Sequence, residues 1–388
     1  MAVARNAFRV VHVTSVHKPF DVRIFHKQCV TLARAGYDIT LVQSGDKIET
    51  VSGVKIVPFG PALRRILRMT TGVWRAYRVV ASLKPAIVHF HDIEFIWAGL
   101  LLKLAGHRVI YDVHEDVAKD LQDKAYLPRW AIWPIGLCVW AFERMALAFF
   151  DRLVPATEAI HRRFPADRAT LVRNTPIIGE LSTVDAPPFA SRPMNAVYLG
   201  GLAEFNGPRA MVAAFEEPGL IGDAQLLLGG RFVDEQLEAE MRARPGWARV
   251  QFHGWIDRSA ISAMLIQARV GLVLYQPSPN VVESEPNKFF EMMSAGLPLV
   301  ASNFPVWRQL IERFQCGIAV DPNDPKQIAE AIAYLLTRPE EAEAMGKRGQ
   351  DAVMSEYNWT IDGERLVKLY DSLLSKAPIV TTPATAGS

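Results

Sequence analysis

Three cysteines in 388 residues, Cys29, Cys138 and Cys316, are too few and too far apart for a disulfide framework or a close-spaced zinc or redox pair. They read as buried thiols of a reducing cytoplasm. Charge of one sign is lacking too, since 43 Lys and Arg face 41 Asp and Glu and leave a formal net charge of +2. No global field argues for nucleic acid, and any basic surface is local. No Asp-x-Asp triplet offers a carboxylate pair for a metal-bound diphosphate, and no Gly-x-Gly-x-x-Gly follows an opening strand, which argues against a nicotinamide dehydrogenase. Long apolar runs are also missing. Val10 to Val13 is interrupted by His12 and is far shorter than a signal-peptide core. Trp130 to Phe142 carries no charge, but it falls well short of the about 20 residues that cross a bilayer. Pro134 and Gly136 interrupt it, and Trp130, Trp133 and Trp140 mark it as a core or interfacial helix.

What is present is a well-buried globular chain, 50% hydrophobic and 22% charged, long enough for two α/β domains. Short β-branched runs alternate with amphipathic stretches: Arg9 to Thr14, a helix near Val22 to Ala35, then Asp38 to Gln43, Ile87 to Phe90, Arg108 to Tyr111, Arg152 to Pro155 and Thr170 to Val172. Strands alternating with helices imply a parallel sheet. The beat breaks at Pro187, Pro188 and Pro193, then resumes with Ala196 to Leu199, Gln225 to Leu228, Arg249 to Phe252, Val270 to Leu274, Leu299 to Ala301 and Gly317 to Val320. Two doubly wound, Rossmann-like sheets in tandem follow. The expected division is an N-terminal domain over residues 1–185 and a C-terminal domain over 186–360. A helix over 361–376 is expected to cross back to the first domain, with a flexible tail over 377–388. Ligands of such sheets bind outside the carboxyl ends of the strands, so two facing domains make a cleft and strand C-termini supply the candidates.

The strongest constellation is Glu283-Ser-Glu-Pro-Asn-Lys-Phe-Phe-Glu291, followed by an Ala295-Gly-Leu-Pro298 segment. Pro286 suits a first helical turn and Ser284 a cap. A helix start offers amide donors and a positive dipole end, a ready place for a diphosphate. Asn287 and Glu291 then share one helix face, Glu291 can accept two ribose hydroxyls, and Lys288 can neutralise phosphate.

Two glutamates eight apart with an internal Pro and Lys, before Ala-Gly-x-Pro, resemble the signature of glycosyltransferase family 4, and the resemblance covers most of the chain. It implies the GT-B fold, in which two Rossmann-like domains flank a cleft. It also implies that Glu283 faces the donor sugar and Glu291 the ribose. His114, in Tyr111-Asp-Val-His-Glu-Asp116, matches the family histidine that contacts the donor sugar. His91 and Asp92 end a neighbouring strand at the same edge. The stretch Ser15 to Lys27 is similar to the start of a branch that builds bacterial surface polysaccharides; its His17, Asp21, Arg23 and Lys27 are acceptor-side candidates, with Asp21 alternatively a helix cap.

The turn Tyr198 to Gly207 lets backbone approach a phosphate at Gly200 and Gly201. Here the chain departs from the family, which commonly places Arg and Lys where Gly201 and Asn206 stand. Arg209, Arg231 or Lys288 are the cations that could compensate. His253-Gly-Trp-Ile256 resembles the loop that meets the nucleobase, with Trp255 alternatively a buried residue. Arg64, Arg65, Arg68, Arg75 and Arg78, threaded among Ile66, Leu67, Val73 and Trp74, form a basic amphipathic stretch that suits an anionic membrane.

The resulting expectation is a cytoplasmic glycosyltransferase, peripheral on the inner face of the cell membrane. It would move a hexosyl or N-acetylhexosaminyl group from a UDP- or GDP-sugar to a lipid-linked or growing polysaccharide. The resemblance implies retention of configuration, no metal and no cofactor, and catalytic roles for His114, Glu283 and Lys288. A nucleotide-sugar epimerase of the same fold and a noncatalytic nucleotide-binding scaffold are the rival readings.

Overall fold

A computed structural model of the chain describes residues 5–114, 129–181 and 186–375. These divide into two compact units, one comprising residues 5–114, 129–173 and 362–375, the other 174–181 and 186–361.

The first unit is built on β1 (Arg9–Val13), β2 (Asp38–Gln43), β3 (Glu49–Val51), β4 (Val54–Pro58), β5 (Ile87–Phe90), β6 (Arg108–Val113) and β7 (Arg152–Pro155). They form one sheet in the order β3-β4-β2-β1-β5-β6-β7, parallel except for the β3–β4 hairpin. The central strands are buried on both faces, which is why they read as continuous apolar runs and not as alternating ones. Successive strands from β1 wind to one side and those from β5 to the other, so the sheet reverses direction between β1 and β5. The segments leaving these two strands, from Thr14 and from His91, meet at that switch point.

The second unit repeats the plan with β8 (Asn195–Leu199), β9 (Gln225–Gly229), β10 (Val250–Gly254), β11 (Val270–Val273), β12 (Leu299–Ser302) and β13 (Gly317–Val320). The order β10-β9-β8-β11-β12-β13, with parallel pairs throughout, places its switch point between β8 and β11. The glycine turn after β8 and the glutamate segment after β11 therefore emerge side by side.

Several local expectations change. Thr170 to Val172 runs along β7 through Thr170 N–H to Leu153 O and Val172 N–H to Pro155 O, but it completes no strand. The β3–β4 hairpin is an addition at the sheet edge. The helix Arg129–Phe149 continues through Pro134 and Gly136. Its Trp130, Trp133 and Trp140 are 79%, 76% and 57% exposed, so these rings are surface and not core. Among the described residues no helix is long and apolar enough to cross a membrane.

The β8 turn tolerates no side chain where it meets β9. Gly230 has φ +153°, and a Cβ there would overlap the carbonyl of Gly200. Gly230→Ala is expected to lower stability by about 1–3 kcal/mol. Gly219, with nothing around its Cβ position, is the control. Chemical denaturation of Gly230→Ala and Gly219→Ala checks this, with the second variant unchanged.

Candidate active site

In the second unit, the glutamate segment leads into the helix Asn287–Ser294, with Pro286 at the N-cap position in extended geometry. Ser284 is not the cap: its hydroxyl donates to Val281 O at 2.8 Å and its carbonyl accepts Trp307 Nε1–H at 2.7 Å. No side chain caps this helix. The amides of Asn287 and Lys288 have no acceptor among the described residues, and they carry the positive end of the helix dipole.

Lys288 folds back over the β8 turn. Its Nζ donates to Tyr198 Oη at 2.9 Å, and Tyr198 Oη donates to Gly201 O at 2.8 Å. The ammonium also lies 4.9 Å from the Tyr198 ring centroid and 5.3 Å from that of Tyr275. Gly200, at φ +141°, is glycine because a Cβ there would occupy the end of the Lys288 side chain. Burial pushes the Lys288 amine down to about 8, and the Glu291 carboxylate one turn further along the helix opposes that shift. Glu291 is half-buried and Glu283 is exposed.

The remaining donor-side candidates separate clearly. Gly201 borders open space. Asn206 is buried, and its Oδ1 accepts Ala203 N–H at 3.2 Å, so it shapes the turn. Arg209 is held on the surface by Glu204 at 2.9 Å and by Glu240. Arg231 is exposed; its carbonyl accepts Leu202 N–H at 3.0 Å beside the turn, and its guanidinium has no partner among the described residues. Trp255 is 70% exposed at the end of β10, which rules out the buried alternative.

In the first unit the switch point is closed by hydrogen bonds. Asp92 accepts from Ser15 N–H at 2.5 Å and from His17 Nδ1 at 3.1 Å. Burial opposes charge on His17, but its bond to Asp92 leaves the imidazole raised from its ordinary value. Asp21 is the cap of the helical turn Val22–Cys29, accepting from Arg23 and Ile24 amides, both at 2.9 Å. Arg23 and Lys27 lie inside the unit, where neither can reach solvent. Arg23 donates through Nη2 to Asp112 Oδ1 at 2.6 Å and through Nη1 to Val172 O at 2.9 Å. Asp21 thus takes the cap role that was its alternative, and Arg23 and Lys27 are buried and not at the surface.

Asp112 is the residue that sequence reasoning passed over. It also accepts Gln28 Nε2–H at 2.6 Å, and it meets His91 Nδ1 at 3.0 Å and His114 Nε2 at 2.9 Å. Burial would raise its carboxyl, yet Arg23 and the histidines hold it well below the usual carboxylate range. The two-residue period of β6 was the available signal, because it sets Asp112 and His114 on one face. His89, His91 and Asp112 bring three ligand atoms within 4.8 Å of one another. A cation there would compete with the Arg23 guanidinium on the same carboxylate, so this donor set fits a hydrogen-bonded core better than a metal.

The whole chain shares its architecture with solved structures of low identity. Sucrose-phosphate synthase from Thermosynechococcus elongatus aligns with a TM-score of 0.74 at 19% identity, covering 95% of this chain and 100% of that one. Anabaena HepE in complex with UDP-glucose aligns with a TM-score of 0.69 at 12% identity, covering 94% and 100%. Two parallel-sheet units with such neighbours define the GT-B class of fold. Residues 22–176 match the family described as Glycosyl transferase 4-like domain, and residues 186–352 match Glycosyl transferases group 1; the chain belongs to glycosyltransferase family 4. The phosphatidyl-myo-inositol mannosyltransferase of Mycobacterium leprae is 26% identical over 198 residues, 50% of this chain and 51% of that protein. The match thus spans about half the length of that relative.

The Lys288 cage makes a direct prediction. An NMR titration of the Lys288 Cε should show a midpoint of about 8, and Glu291→Gln should move it lower still. An unfolded lysine titrates at about 10.4, so the folded state binds fewer protons between these values. Stability of the wild type relative to Lys288→Met therefore rises as pH rises from about 8 towards about 10.

Proposed function

We propose that the chain transfers a hexosyl or N-acetylhexosaminyl group from a UDP- or GDP-sugar to an acceptor hydroxyl, with retention and without a metal. The observation that carries this reading is the Lys288–Tyr198–Gly201 chain, laid across an uncapped helix start with Glu291 one turn away. Open amides, a held ammonium and a carboxylate at that spacing suit a nucleoside diphosphate, the anion on the first two and the ribose hydroxyls on the third. Glu283 and His114 contact the sugar. This reading assigns no side chain as a covalent nucleophile: the departing phosphate takes the acceptor proton while the acceptor attacks from the same face. Positioning and charge stabilisation then supply the rate.

Arg231 replaces the cations missing at Gly201 and Asn206. It stands beside the turn without a competing carboxylate, whereas Arg209 is engaged by Glu204 and Glu240. A thermal-shift panel of UDP, GDP and their sugars tests these assignments. At a hundredfold excess over Kd a ligand adds about 2.7 kcal/mol, a shift of several degrees. Glu291→Ala should abolish the shift and Arg231→Ala should remove most of it, while Arg209→Ala keeps it. An unchanged shift in Glu291→Ala sinks the ribose assignment, and no shift with any nucleotide favours a noncatalytic scaffold. Release of free nucleotide only when acceptor is added separates transfer from epimerisation.

The acceptor is lipid-linked, presented at the inner face of the membrane. The exposed Trp130, Trp133, Leu137 and Trp140 support this, as do the exposed Trp74, Arg75 and Arg78 on the helix Val73–Leu83 of the same unit. Rings seat in the interfacial region and arginines on anionic headgroups, each basic residue contributing about 1 kcal/mol. The protein should float with vesicles of phosphatidylglycerol and phosphatidylcholine. Arg75→Glu with Arg78→Glu should weaken that binding by more than tenfold, and Trp133→Ser with Trp140→Ser should release the protein. Flotation unaffected by either pair removes this surface from the proposal.

A further inference from the structure

A buried column of polar rings runs from Asp112 into the first unit. His91 Nδ1 meets Asp112 Oδ2 at 3.0 Å, and His91 Nε2 meets His12 Nδ1 at 3.0 Å. His12 Nε2 meets Tyr370 Oη at 3.1 Å, and Tyr370 Oη meets His89 Nδ1 at 2.7 Å. Every member is buried, and His89 Nε2 has no partner among the described residues.

Proton positions in such a column follow from one end. Asp112, ionised between Arg23 and Gln28, can only accept. His91 must therefore bring Nδ1–H to it and keep a lone pair on Nε2. That lone pair accepts His12 Nδ1–H, and the lone pair on His12 Nε2 accepts the Tyr370 hydroxyl. Tyr370 Oη then accepts His89 Nδ1–H, and the column ends on an unprotonated His89 Nε2. An acceptor lone pair is the cheaper group to leave unmatched. The reverse order would aim a His91 lone pair at a carboxylate and bury an orphan N–H at His89. Burial holds His12, His89 and His91 below the usual imidazole range, so neutral rings with single tautomers fit the site.

His114 is governed by the same carboxylate. Its Nε2 lies 2.9 Å from Asp112 Oδ2 and 3.1 Å from His91 Nδ1, whose proton already points to that carboxylate, so in the neutral ring Nε2 carries the proton. Its Nδ1 is then a lone pair, with no partner among the described residues, on a side chain that keeps 16% exposure. We infer that Asp112 is a positioning residue that fixes His114 as a hydrogen-bond acceptor, so that the donor sugar must offer a free hydroxyl at the position His114 reads. A deoxy sugar lacks the donor, and the carboxylate of a uronic acid presents a lone pair to a lone pair. This selectivity rests on the proposed contact between His114 and the donor sugar; the tautomer itself does not.

Long-range ¹H–¹⁵N correlation spectra of histidine-labelled protein test the two parts separately. Wild type should show His114 as the Nε2–H tautomer, and His12, His89 and His91 as Nδ1–H. Asp112→Asn can turn its amide N–H to His114 Nε2 and should convert that ring to Nδ1–H. It should also cut kcat/KM at least tenfold and erase the preference for a nucleotide-hexose over its deoxy counterpart. Tyr370→Phe, which interrupts the column without touching Asp112, should leave the His114 tautomer and the sugar preference intact. An Nδ1–H His114 in the wild type overturns the inference even if Asp112→Asn fails to fold, as does an unchanged tautomer in a folded Asp112→Asn. An Nε2–H His114 whose replacement by Ala leaves kcat/KM unaltered overturns the donor-contact reading and the selectivity with it.

Discussion

The buried ion pair between Arg23 and Asp112 is the constraint on which the first unit's switch point depends. Two charges withdrawn from water are tolerated only when their remaining valences are filled, and here they are: Val172 O takes one guanidinium N–H, while Gln28 and two histidines fill the carboxylate. The pair ties the turn after β1 to the end of β6 across the β5 strand between them. Removing either partner alone would leave the other charged and uncompensated, a loss of about 3–5 kcal/mol in comparable pairs.

The second unit solves a related problem with opposite economy of charge. One amine, shielded by two tyrosine rings and kept close to its titration point, lies against a turn that has no side chains of its own. Glycine at 200 is thus what lets a cation from another element fold over the turn. The turn is covered from another element, by Lys288 through Tyr198, while Arg231 stands beside it.

Much of this was readable in the sequence, and the exceptions share a cause. Both parallel sheets announce themselves because strands buried on two faces are mostly apolar, although His12, His89 and Asp112 interrupt the central strands of the first. In the β3–β4 hairpin, Glu49 and Thr50 of β3 are exposed edge residues without a core face to encode, whereas β4 buries Val54 and Ile56 and carried a signal that was missed. Ser284 had the composition of a cap but hydrogen-bonds backwards to Val281. Arg23 resembled a surface cation because its partner stands 89 residues away in sequence. The aromatic run from Trp130 carried no sign of which way its rings face, since a helix apolar on several sides leaves the choice to its neighbours. Local chemistry was legible; pairings made at long range were not.

The last helix, Trp359–Ser375, sends Tyr370 into the histidine column and Asp371 onto Arg5 and Tyr37. The core of the first unit is therefore incomplete until the ribosome has passed residues 362–375. The second unit, continuous from residue 186 to residue 361, holds all its strands before that point. Order of synthesis and order of completion are then inverted, and the half translated first waits, partly open, for the half translated second.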